Sequence, residues 1–132
     1  MKKIDWMIHY VVDEAECPYL VNAHTHGMEK YNHQDFQFVL NEGMENVGWI
    51  LNTLGLRVQN GERFNNGQTI KNFSNGYDGR FQEFYETGRK VLRFIIPDKY
   101  GRFPEDDECS FVLSLQIREL SSVNYLTCRR FR

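Results

Sequence analysis

Apolar and polar positions alternate from the start of the chain. In residues 5–12, Trp6, Ile8, Tyr10 and Val12 share one face at period two, and Met7, His9 and Val11 share the other, which predicts a strand. DEAECP (13–18) breaks it, with Pro18 closing the break. YLVNAHT (19–25) predicts a second strand, ended by Gly27, and FQFVLN (36–41) a third with Phe36, Phe38 and Leu40 on one face.

The period then changes. In residues 42–61, Met44, Val47, Leu51, Leu54 and Val58 recur at spacings of three and four with Ile50 beside them, the pattern of an amphipathic helix closed by the turn signal QNG. Gly48 and Gly55 inside it each cost about 1 kcal/mol against alanine and would let the helix sit close to a sheet.

Residues 60–79 are dense in Asn and Gly, and Asn-Gly recurs there as a turn signal. QTIKNF (68–73) is the best strand within this stretch, and RFQEFYETG (80–88) predicts a short helix or turn through the spacing of Phe81, Phe84 and Tyr85. KVLRFII (90–96) predicts a buried strand, residues 97–108 a loop, SFVLSLQI (110–117) another strand and VNYLTCRRF (123–131) a last one. The expected fold is α+β, a mainly antiparallel sheet of about six strands with one long amphipathic helix packed on it. At 132 residues, without a linker or a repeat, one domain over 1–132 is expected.

Composition narrows the function classes. A formal charge of -2 with 41% hydrophobic residues describes a packed globule and gives no reason to expect nucleic acid or an anionic membrane as partner. Asp5, His9, Asp13 and Glu14 interrupt any signal-peptide core, and no stretch is apolar enough to cross a bilayer. Cys17, Cys109 and Cys128 form no C-x-x-C pair, so a reduced, cytoplasmic protein is the simplest expectation.

Candidate chemistry concentrates in residues 21–41. In a strand Asn22, His24 and His26 project together, opposite Ala23 and Thr25. Two imidazoles two residues apart can reach one metal ion, and their nitrogens suit zinc, nickel or iron. His33 and Asp35 repeat the spacing after a turn. If that turn folds back, His24, His26, His33 and Asp35 become a candidate divalent-metal or ligand site, with Glu29 as candidate general base on a bound water. The alternative is a solvated polar strand face, or histidines bonded to nearby backbone. Histidine titration also allows a pH-responsive site.

Elsewhere the structural reading is simpler. Cys17 reads as a buried, idle thiol, and PEDDE (104–108) lacks the ligand alternation of a calcium loop. Residues 60–79 could cradle an anion with Lys71 or Arg80, but carry no nucleotide motif and read as turns. RRFR at the end reads as an ordinary charged terminus, and Trp6, Trp49 and Phe94 as core.

Two segments carry a resemblance. Thr25, Gly27, Met28, His33 and Asp35, and then Ile96, Pro97, Asp98, Gly101, Phe103 and Pro104, are similar to the pattern of a bacterial family, the domain of unknown function DUF4262. The resemblance spans about residues 20–116 and implies a small soluble bacterial domain, with no activity attached. The chain departs from the family pattern at His24 and His26, where an aromatic or aliphatic residue is usual, and at Gln34, where proline is. In the second segment Pro97 would end a strand, Asp98 accept turn hydrogen bonds and Gly101 take a positive φ.

The expected function is a binding or protein-interaction domain whose small ligand or protein partner meets the surface around His24, His26, Glu29, His33 and Asp35. The alternative is a metal-dependent, hydrolase-like enzyme at the same residues. A homo-oligomer formed through an exposed sheet edge is a third expectation.

Overall fold

The computed structural model describes residues 3–12, 17–86 and 88–120. The strand expected at 123–131 lies outside them. Six strands form one sheet: β1 Met7–Val12, β2 Leu20–His26, β3 Phe36–Leu40, β4 Thr69–Ser74, β5 Tyr77–Glu86 and β6 Arg89–Ile95, in spatial order β1-β2-β3-β6-β5-β4. The α+β class is as expected.

The sheet is mixed, which corrects the expectation of a mainly antiparallel one. Its two central strands, β3 and β6, run parallel, while their outer neighbours pair antiparallel. Topology is the cause. Parallel neighbours need a long crossover, and here helix α1 (Met44–Gln59) and the β4–β5 hairpin separate β3 from β6 along the chain.

Helix α1 covers one face. Val47, Leu51, Leu54 and Val58 are buried, and each such side chain contributes on the order of 2 kcal/mol. They join Phe36, Phe38, Phe81 and Phe94 in one core. At Gly55 the close approach is to Trp6 rather than to a strand: a Cβ there would lie 2.5 Å from Trp6 Cζ2, so the indole ring occupies the space an alanine would need. Gly48 has no such neighbour. Met44 and Trp49 point outward, Trp49 being 53% exposed, so the core assignment fails for Trp49 and holds for Trp6 and Phe94.

The β4–β5 turn matches its sequence. Ser74 pairs with Tyr77 across a two-residue loop in which Asn75 (φ 50°) and Gly76 (φ 81°) are both left-handed, as a type I′ hairpin turn requires.

Two element types are corrected. Residues 80–86 of that stretch belong to strand β5 rather than to a short helix or turn. Phe81 joins the helix-side core while Phe84 lies under a guanidinium on the other face, so a strand covered on both faces mimics helical spacing. Residues 110–117 form the short helix α2 (Phe111–Ser114) and a 3₁₀ turn (Leu115–Ile117) instead of a strand. There the Gln116 side chain takes the place of strand pairing. Its Nε2 donates to the Ile96 carbonyl (2.7 Å) and its Oε1 accepts the Ile96 N–H (2.9 Å).

Candidate functional site

The second face of the sheet, opposite α1, sets buried polar side chains, His24, Gln37 and Arg93, among buried apolar ones. Alternation along β2 puts Asn22, His24 and His26 on it. The β1–β2 register sets His9 directly opposite His24. The three imidazoles close into a cluster, with ring centroids 5.3 Å apart for His9–His24, 4.2 Å for His9–His26 and 5.1 Å for His24–His26. One ligand atom from each lies within 4.8 Å of the others. His24 is buried, His26 half-buried and His9 exposed at the mouth.

The tautomer of His24 follows from a chain of hydrogen bonds. Arg93 can only donate, and its Nε does so to Gln37 Oε1 (2.7 Å). Gln37 must therefore turn its Nε2 toward Asn22 Oδ1 (3.0 Å). That oxygen also lies 3.1 Å from His24 Nδ1, so Nδ1 carries the hydrogen. Neutral His24 is left with its lone pair on Nε2, the arrangement that outer-shell partners impose on metal-binding histidines.

Burial and the Arg89 charge favour the neutral forms of His24 and His26. Burial lowers the His24 pKa to about 4, helped by the positive charge of Arg89 and by His26 and His9, and opposed by Asp35. His26 is lowered by the same burial and by Arg89, against Asp35 and Glu29. Arg89 is held by an ion pair with Asp35 and by a bond to the Thr25 carbonyl (3.0 Å), and its Nη2 lies 3.5 Å from His26 Nε2.

The residues singled out in the sequence separate into four groups. His24 and His26 share a face, as alternation required. His33 does not join them: its Nε2 accepts the Phe64 N–H (3.0 Å), its Nδ1 lies 2.8 Å from the Gln34 carbonyl, and its ring packs on Phe36. Asp35 is a structural hub, accepting from Thr25 Oγ1 (2.8 Å) and the Met28 N–H (3.0 Å) and reaching the cluster only through Arg89. Glu29 is exposed on the 3₁₀ turn Met28–Tyr31, near enough for its charge to act on His26.

His9 was the member missing from the sequence-level site. Its strand face was legible, but only the β1–β2 register brings it to His24. Arg93 was missed as well. It is fully buried, ion-paired to Glu86 (2.8 Å), bonded to the Gln116 and Arg118 carbonyls (2.7 Å each) and laid on the Phe84 ring (3.6 Å). Burial lowers its pKa to about 10, against the pull of Glu86.

The loop after β6 is structural, as its residues suggested. Asp98 accepts the Tyr100 and Arg102 N–H groups and the Arg102 guanidinium, and Gly101 has φ 79°. Burial pushes the Asp98 carboxyl up, and these donors outweigh it and hold it at about 2. Cys17 is buried and disulfide-bonded, which corrects its reading as an idle thiol, whereas Cys109 is free.

Fold and site together define an α+β domain with an imidazole cluster on the sheet face opposite its main helix. The chain belongs to the DUF4262 family: that domain of unknown function matches residues 1–110. No curated protein and no solved structure matches it. No helix among the described residues is long and apolar enough to cross a membrane.

Proposed function

We propose that the protein is a ligand-binding domain and that its ligand is a divalent transition-metal ion held by His9, His24 and His26. The carrying observation is the convergence of three ring nitrogens within 4.8 Å. Zinc–nitrogen bonds of about 2.0–2.1 Å require a tighter set, so binding would draw the rings in. His9, exposed on an edge strand, is free to make most of that movement. His24 and His26, whose pKa values lie below the ordinary histidine value, need lose no proton to bind at pH 7. The nearby Arg89 charge opposes a cation and is offset by its Asp35 partner.

Zinc titration of metal-stripped protein against a chromophoric chelator at pH 7.5 tests this reading. One ion should bind per chain, with affinity reduced about 100-fold or more in His9→Ala and His26→Ala and unchanged in His33→Ala. Equal affinity in wild type and the His9→Ala/His26→Ala double variant would remove the site.

A hydrolase-like activity is the second reading. Three protein nitrogens leave a fourth position for water, and the Glu29 charge acts on His26. Activity toward activated esters or phosphates should then require both metal and Glu29. A cytoplasmic location belongs to the proposal too. The Cys17 disulfide bears against it, since a reducing compartment keeps thiols free: thiol counts on freshly lysed cells, quenched with alkylating agent, decide the matter, Cys17 found reduced supporting the cytoplasm and Cys17 found bonded removing it.

A further inference from the structure

A cavity of about 420 Å³ opens on the helix-covered side, well apart from the imidazoles. It lies between the first half of α1, the β4–β5 turn and the start of the loop after β6. Trp49, Phe73 and Tyr77 are among its walls. Trp49 and Tyr77, 42% exposed, leave much of their rings uncovered. Phe73 meets Trp49 edge to face (centroids 5.9 Å) and is backed by Phe94 (4.7 Å), so the wall is supported by the core.

The charged residues of the lining are Glu42, Asp78, Asp98 and Lys99, three carboxylates against one ammonium. Asp98 is consumed by its own turn. Lys99 Nζ lies over the Tyr100 ring, 5.2 Å from its centroid. Asp78 accepts the Asn72 N–H (3.0 Å) and meets the exposed Lys71 at 3.4 Å. Glu42 is exposed at the mouth.

The volume lies within the range of small-molecule sites. Exposed aromatic faces beside carboxylates attract organic cations, because ring quadrupole and negative charge act in the same direction. We infer that this cavity binds a small organic cation, an alkylated ammonium group seated against Trp49 and Tyr77 with the Glu42 carboxylate facing its charge. The inference is independent of the metal reading, since the two sites share no residue.

Choline and its uncharged isostere 3,3-dimethylbutan-1-ol are the probes, followed by calorimetry and by indole emission, where Trp49 is the exposed indole and Trp6 the buried one. Choline should saturate the site and bind about tenfold tighter than the alcohol. Trp49→Ala should weaken choline by about tenfold and Glu42→Gln by about threefold, with thermal midpoints near wild type. Should Trp49→Ala fold poorly, Tyr77→Ala carries the same test. Equal binding of alcohol and choline, which marks a merely apolar crevice, would overturn the inference, as would no saturable binding. So would a Trp49 emission change that follows protein concentration together with a dimer mass in light scattering, for then a second copy fills the groove.

Discussion

Arg93 and His24 are two buried basic side chains on the same sheet face, joined through Gln37 and Asn22, and they are satisfied to different degrees. Arg93 makes four hydrogen bonds, one of them to the carboxylate of Glu86, and rests on an aromatic ring. His24 has one side-chain partner, at Nδ1, and otherwise faces two more imidazoles. A buried charge deprived of its partners costs about 3–5 kcal/mol. A buried neutral imidazole carries a smaller penalty and can keep a lone pair in reserve. One end of the polar face therefore holds the fold together, and the other has coordination capacity left to use.

The largest effect should come from the Arg93 end. Arg93→Met removes the guanidinium donors that Glu86 Oε1 and Gln37 Oε1 accept and should destabilise by about 3–5 kcal/mol, read as a lower denaturant midpoint at unchanged slope. Pairing it with Glu86→Gln should recover part of the loss. If Arg93→Met alone is neutral, the two ends do not differ as described.

Acid should strike the His24 end. Its folded-state pKa of about 4 lies below the ordinary 6.5, so between those values the unfolded chain takes up a proton that the folded chain refuses. The stability contributed by neutral His24 is therefore present above pH 6.5 and is lost as pH falls toward about 4, on the order of 3 kcal/mol in all. His24→Gln should flatten that part of the stability–pH curve, and an unaltered curve would contradict the assignment.

The smallest effect belongs to the link between the ends. Asn22→Ala removes the acceptor for His24 Nδ1–H. Zinc affinity should fall about tenfold, and imidazole nitrogen shifts of the metal-free protein should report mixed tautomers in place of one. A single unchanged tautomer in that variant would mean that Asn22 does not set it.

How much of this was legible depended on whether a signal was local. Amphipathic periodicity located α1, and Asn75-Gly76 announced a turn, because both patterns report on neighbours in sequence. Phe81, Phe84 and Tyr85 misled for the complementary reason: a strand buried on both faces loses its alternation, and helical spacing emerges by coincidence. The same ambiguity turned 110–117 into an expected strand. Of the candidate site, His24 and His26 were readable as a strand face. His33 was not separable from them, since its ring goes to Phe36 and its Nε2 to the Phe64 amide, a partner 31 residues away.

The residue pattern by itself determined the α+β class, the helix, most of the strands, the family and the shared face of the H-T-H pair, all consequences of backbone geometry acting over a few residues. Tertiary structure alone decided that β3 and β6 run parallel, that His9 completes the imidazole cluster, that Asp35 is bound to Arg89 and that Arg93 fixes a tautomer two side chains away. Register and burial arise from contacts between distant segments, and no local period encodes them.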